Sequence, residues 1–161
     1  MMANHGATIE WQRGDQDFLD RRYSRVHRWR FDGGAEVAAS SSPHVVREPF
    51  SNPANVDPEE AYVAALSSCH MLWFLDIAAR RGLRIDSYRD AAEGMMTKNA
   101  QGKEWVARVI LQPHIAFSGP LAPDEAMVGA LHHEAHENCF LANSVRSTVE
   151  TRGSWEFRAD S

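Results

Sequence analysis

Hydrophobic and polar positions change period several times along the chain, and each change marks an element. Trp29 and Phe31 alternate with Arg28 and Arg30 as far as Asp32-Gly33-Gly34, a turn signal, and residues 35 to 39 suit the returning arm of a hairpin. Residues 43 to 57, with prolines at 43, 49 and 53, read as a long connection of the kind that borders a site or crosses an interface. Asp57-Pro58-Glu59-Glu60 then opens a helix: Asp57 suits the cap, Pro58 the first helical position, and Glu60 completes a capping box. The helix should run to Arg80 and Arg81 and stop at Gly82. Nearly every side of it is apolar, which predicts burial around its circumference, with Asp76, His70 and the caps arguing against a membrane span.

Beyond Gly82, residues 85 to 117 predict a hairpin with one arm near Tyr88 to Thr97 and a turn at Asn99-Ala100-Gln101-Gly102. Trp105, Ala107, Val109 and Leu111 alternate in the other arm, and Pro113 marks a bend or an edge. Pro123, Asp124 and Glu125 start a second helix in which Met127, Leu131, Ala135 and Cys139 share one stripe, placing Cys139 on the core side. Val145, Val149, Trp155 and Phe157 suggest two short strands or one bent strand. The expected class is α+β, with antiparallel strands and two packed helices, in a single domain over residues 1–161. A helix of about 24 residues, roughly 36 Å long, is difficult for so small a chain to surround, which predicts a homodimer.

Composition narrows the classes of partner. The 161 residues carry 17 Lys and Arg against 22 Asp and Glu, a net charge of −5, with no dense basic stripe. Neither nucleic acid nor an anionic membrane surface is an expected ligand. The opening MMANHGATIEW lacks a basic start followed by an apolar run, so no signal peptide is expected and the cytoplasm is the expected compartment. Cys69 and Cys139 stand 70 positions apart and form no CxxC motif. A reducing compartment disfavours a permanent disulfide between them.

Cys69 shares a helical column with Ala65, Leu66, Leu72 and Trp73, so its sulfur should meet apolar surroundings that make a thiol inert. The helix dipole fades within the first turn and does not reach it, so reactivity requires a cation from elsewhere. His132, His136 and Cys139 could share one helix face and ligate zinc, although HHEAH is not HExxH and a fourth ligand is missing. His70 points about 100° away from Cys69 and suits packing or an interface better than a general base.

At this point the residues resemble a known family. DPEEAYVAALSSCHMLWFLDIAARRG is similar to the central helix of the OsmC/Ohr thiol peroxidases, with a Pro-Glu pair ahead of the reactive cysteine. HHEAHENCFLANSVRSTVE resembles the family's second-cysteine helix and its last strands, and YSRVHRWRFDGG with SSSP resembles its opening hairpin. The resemblance implies an OsmC-like fold: antiparallel sheets packed on a long buried central helix plus a second helix, in an intertwined homodimer. It implies Cys69 as the peroxidatic thiolate, Cys139 as the resolving thiol, and Glu59 and Arg25 as the activating pair, with Arg22 as the alternative arginine; Arg47 has no counterpart in the family.

The implied chemistry needs no bound cofactor. It consumes a hydroperoxide, organic rather than inorganic if Leu72, Trp73 and Phe74 form an apolar wall, and it takes electrons from a lipoyl or thioredoxin-type dithiol. The chain departs from the hydroperoxide-resistance branch in carrying Phe140 instead of proline after Cys139. Glu59 lies ten residues before Cys69, about 15 Å along an unbroken helix. Either the helix is irregular near its start or Glu59 serves the partner subunit. Two other classes stand beside this one: a non-catalytic dimer binding a hydrophobic molecule in a Trp- and Met-lined pocket, and a metal protein built on His132, His136 and Cys139.

Overall fold

In the computed structural model, which describes residues 2–160, the first three strands form one antiparallel sheet in the order β1-β2-β3. They are β1 (Ala7–Glu10), β2 (His27–Phe31) and β3 (Glu36–Ala39). The β2–β3 hairpin follows the predicted alternation, with Trp29 opposite Val37 and Arg30 opposite Glu36. Its turn relies on Gly34, whose φ of 88° lies where a Cβ is costly. β1 is exposed along its whole length, so no buried face marks it in the sequence. Its pairing with β2 defines it, helped by Arg30, which reaches Glu10 at 3.3 Å and Glu36 at 2.9 Å. The long connection returns beside β3, where the Ser40 amide donates to the Val56 carbonyl at 3.0 Å and the Val56 amide to the Ala38 carbonyl at 3.1 Å.

The helix α1 (Pro58–Arg80) starts at the predicted box. The Glu60 amide donates to Asp57 Oδ1 at 2.8 Å, and the Asp57 amide donates to Glu60 Oε2 at 3.1 Å. It stops at Gly82, φ 76°, where the amides of Gly82 and Leu83 turn back to the carbonyls of Ala79 and Ala78. The chain divides into two units, one reaching to Ala61 and the other beginning at Tyr62.

The second unit holds β4 (Arg84–Asp90), β5 (Glu93–Lys98), β6 (Glu104–Leu111), β7 (Pro113–Ser118), α2 (Glu125–Asn138), β8 (Thr148–Thr151) and β9 (Ser154–Arg158). Two corrections to the sequence reading arise here. The predicted arm from Tyr88 to Thr97 is two strands in different sheets, because the chain turns at Ala91-Ala92: β4 pairs with β7, and β5 with β6. The sheets are also mixed rather than antiparallel. β8 runs parallel to β6 and β9 parallel to β7, as strands that return after a helical crossover do.

Each of three chain segments therefore leaves the sheet β5-β6-β8 or enters it from β4-β7-β9 at a corner. Asp90 pins two of these corners. It accepts the Gln112 amide at 2.6 Å and the Ser67 hydroxyl at 2.5 Å, while the Arg152 amide reaches the Leu111 carbonyl at 2.8 Å.

Phe74, Ile77 and Ala78 of α1 pack with Ile115 and Phe117 of β7 and with Val128, Leu131 and Ala135 of α2. A second cluster joins Leu66 to Val109 and Leu111. Each such side chain contributes about 1.5–3 kcal/mol of burial. By length and composition α1 could cross a membrane; in the fold, its buried residues recur at Leu66, His70, Phe74 and Ile77, one face only. Burial around the whole circumference is not reached within one chain, since Leu72 remains 61% exposed.

Candidate active site

Cys69 sits half-buried on α1, and Cys139 is buried at the C-terminal cap of α2. Leu131 and Ala135, the preceding members of its stripe, are fully buried, and the stripe delivers Cys139 to the core as predicted. Both cysteines are free thiols. Cys69 shares a cavity with Phe140 and Leu141, the two residues that follow Cys139, so residues 70 positions apart in sequence are brought near one another. Burial, reinforced by the neighbouring Cys69 thiol, pushes the Cys139 thiol up to about 11 and keeps it protonated at neutral pH. After Cys139 the chain folds into a single 3-10 turn, Ala142–Ser144, and the Ala142 amide donates to the Cys139 sulfur at 3.4 Å.

Cys69 opens onto a cavity of about 580 Å³ lined by Ala65, Leu72, Trp73, Phe140 and Leu141, with Ser68 and Asp76 at polar positions. The sulfur is therefore not sealed in packed apolar surroundings, as its helical column suggested. Trp73 and Phe140 meet edge to face at 5.5 Å, so the residue standing where a proline was expected closes part of the apolar wall. Phe74 does not join this wall; it is fully buried in the core. No methionine lines the cavity, and Met95 and Met96 are exposed on β5 instead.

Arg25 and Glu59 lie in the first unit and share a different cavity, about 520 Å³, with Trp11, Phe18, Tyr23 and His27. The Arg25 guanidinium stacks on the Tyr23 ring at 3.9 Å and donates to the Tyr23 carbonyl. Arg28 and Arg30 are engaged in ion pairs with Glu36 and Glu10, whereas Arg25 has no carboxylate partner among the described residues. Arg22 stacks on Phe50 at 5.8 Å, outside this cavity, and Arg47 is exposed. The predicted four thus fall into two pairs, Cys69 with Cys139 and Arg25 with Glu59, carried by different units. α1 is unbroken from Pro58 through Cys69, so it has no irregularity near its start.

The histidines arrange themselves otherwise than a zinc site requires. His132 turns toward His70, with 3.1 Å between its Nδ1 and His70 Nε2 and the rings stacked at 5.4 Å. Burial lowers both to about 4, which favours neutral imidazoles. Among the described residues no group of three His, Cys, Asp or Glu side chains is placed to hold a metal ion. Sequence reasoning missed the Asp90 corner and the partner of His70. Their contacts join residues 22 to 62 positions apart, and no local pattern encodes them.

Comparison with known proteins gives a consistent picture. The family described as OsmC-like protein matches residues 51–152. An OsmC-like protein of unknown function from Vibrio cholerae is 51% identical, with a TM-score of 0.93 over 95% of this chain and 100% of that one. An organic hydroperoxide resistance protein from Elizabethkingia anophelis shares the fold at 18% identity, with a TM-score of 0.69 over 98% of this chain and 99% of that one. An OsmC-like protein from Mycoplasma pneumoniae does so at 12% identity and a TM-score of 0.72, covering 96% and 99%. No curated protein matches the sequence.

Proposed function

Since the chain belongs to the OsmC-like protein family, we propose that it is a cysteine-based peroxidase that reduces organic hydroperoxides and so protects against oxidative stress. The observation that carries this reading is the nearness of Cys69 and Cys139, the first half-buried and open to an apolar cavity, the second buried and held protonated. The Cys69 thiolate attacks the distal oxygen of the hydroperoxide, the O–O bond breaks, and the alkoxide leaves as an alcohol after taking a proton. Cys69 is then a sulfenic acid. The Cys139 sulfur displaces its hydroxyl, which leaves as water with the Cys139 proton, and a disulfide forms. An external dithiol of lipoyl or thioredoxin type returns both sulfurs to thiols by exchange and is itself oxidised.

Arg25 supplies the positive charge that stabilises the Cys69 thiolate and the departing oxygen, and Glu59, which lines the same cavity as Arg25 without pairing with it in the single chain, engages the guanidinium in the assembled site. With α1 unbroken, Glu59 lies about 15 Å along the axis from Cys69 of its own chain, so in this reading the pair serves Cys69 of the partner in a homodimer. The exposed face of α1 around Leu72 supports such an assembly. The cytoplasm, where thiols stay reduced, suits the cycle.

Intact-mass measurement after one equivalent of cumene hydroperoxide tests the chemistry. Wild type loses about two mass units as the disulfide forms, and Cys139→Ser gains one oxygen. An unchanged mass in both proteins refutes the peroxidase reading. Dimers mixed from Cys69→Ser and Glu59→Ala subunits test the sharing: activity returns if Glu59 acts across the interface and stays absent if it does not.

A further inference from the structure

We propose that His27 is a positioning residue for Arg25, locked in a single tautomer by Trp29. The inference rests on the reading of Arg25 given above. Trp29 Nε1 carries a hydrogen and can only donate; it lies 2.9 Å from His27 Nε2. That nitrogen must therefore offer its lone pair, and the ring proton resides on Nδ1. Nδ1 stands 2.7 Å from the Arg25 carbonyl oxygen, and its N–H donates there. A donor-only indole thus sets the direction of both hydrogen bonds.

The tether matters because Arg25 lies outside any strand. β2 begins at His27, so no ladder holds the two preceding residues. Among the described residues the Arg25 backbone has two partners: its amide donates to the Phe50 carbonyl at 2.8 Å, and its carbonyl accepts from His27. The side chain is fixed separately against Tyr23, itself stacked on Phe18 at 4.7 Å. Loss of the His27 donor frees one of the two backbone anchors, and displacements of about 1 Å cost reacting groups up to a hundredfold in rate.

The test uses His27→Phe, which keeps a ring without nitrogens, His27→Asn, whose amide N–H replaces Nδ1–H, and Trp29→Phe. Arg25→Ala tests the underlying reading. For full-length protein with cumene hydroperoxide, His27→Phe lowers kcat about tenfold with KM little changed, and His27→Asn returns it to within about threefold of wild type. Nitrogen-15 NMR of wild type shows His27 protonated at Nδ1 and bare at Nε2, and Trp29→Phe mixes the two tautomers. The NMR readout serves even if His27→Phe fails to fold.

An Nε2-protonated His27 in wild type overturns the proposal. So does a His27→Phe rate equal to wild type, or a loss that His27→Asn does not restore. If Arg25→Ala keeps the wild-type rate, the role of Arg25 falls and the positioning role falls with it. If Arg25→Ala is inactive while His27→Phe is not, only the proposal for His27 fails.

Discussion

In the unit that carries the two cysteines, Phe74, Ile77, Phe117, Leu131 and their neighbours are closed off from water. In the unit that carries Arg25 and Glu59, Ala39 is the one fully buried hydrophobic side chain among the described residues. The other buried groups of that first unit are polar: Ser40, Ser42, Ser51 and Asp57. The two sulfurs, 70 positions apart in sequence, are carried near one another by close-packed helices, whose geometry tolerates little error. A cation on an irregular loop is held by directional contacts: an aromatic face, a carbonyl and a histidine. Apart from the sulfurs themselves, damage to the cysteine-bearing unit should therefore appear as lost stability, and damage to the loop that carries Arg25 as lost rate.

The largest expected effects are on activity and separate the two regions most sharply. Cys69→Ser removes peroxide consumption, a fall of about a thousandfold or more, because no other group supplies the nucleophile. Arg25→Ala lowers the rate about a hundredfold while the melting temperature stays within a few degrees, since the residue has no carboxylate partner to lose. A large drop in melting temperature for Arg25→Ala would contradict the division. Peroxide consumption and thermal unfolding measured on the same preparations decide it.

Next in size is the packing contrast. Phe74 is fully buried and touches the rings of Tyr88, Phe117 and His132, so Phe74→Ala costs about 3–5 kcal/mol in urea unfolding. Trp11 is 37% exposed and, among the described residues, its ring meets aromatic rings only of its own loop, Phe18 at a tilt and Tyr23 edge-on. Trp11→Ala should cost clearly less than Phe74→Ala although it removes a larger side chain. Equal losses would mean that the first unit is held by packing after all.

The contrast also explains what could be read from the sequence. Both helix starts are legible because a few adjacent residues encode them: Asp57 with Glu60, and Asp124, whose carboxylate accepts the Met127 amide at 2.7 Å. The core side of Cys139 follows from a four-residue repeat. The meeting of Cys139 with Cys69 does not follow from any pattern; it came from the family resemblance. The corner between β4 and β5 escapes a periodic reading because Ala91-Ala92 carries no Gly, Pro or Asn to signal a turn, and a distant carboxylate contact, Asp90 with Gln112, holds the bend. The parallel returns of β8 and β9 are invisible for the same reason, since pairing partners lie about a helix and a strand away. His27 reads locally as a strand residue, and only the positions of Trp29 Nε1 and the Arg25 carbonyl reveal its tether.

Acid probes the cysteine-bearing region through the buried histidine pair. Burial depresses His70 and His132 from 6.5 to about 4; the neighbouring charge of His132, and then that of His136, lower His70 further, while Asp90 opposes the shift of His132. Below pH 6.5 the unfolded chain takes up protons that the fold refuses. Stability is complete above about pH 6.5 and declines as the pH falls toward 4, by on the order of 3 kcal/mol for each histidine. Urea unfolding across this range should show the decline, and His132→Phe should flatten it. An unchanged slope in His132→Phe would assign the acid sensitivity to other groups. Gly153 sharpens the point, because a Cβ there would stand 3.0 Å from His132 Nε2, so Gly153→Ala presses on the pair.

The smallest predicted effect falls at the start of α1. Asp57 is buried, its carboxylate accepts the Glu60 amide, and its own amide donates to the Glu60 carboxylate, so Asp57→Ala leaves the Glu60 amide without its acceptor and keeps only the reciprocal half of the box. The expected cost is about 1 kcal/mol, small beside the core substitutions. Glu59 lies in the turn that this box fixes, and a frayed turn misplaces its carboxylate. The peroxidase rate should therefore fall by more than the stability loss alone explains, at temperatures where the variant remains fully folded. Asp57→Ser, which keeps a capping oxygen, should recover most of that rate. If Asp57→Ala lowers stability by the expected amount yet retains the wild-type rate, the position of Glu59 has no bearing on the chemistry, and the anchoring of Arg25 must be sought elsewhere in its loop.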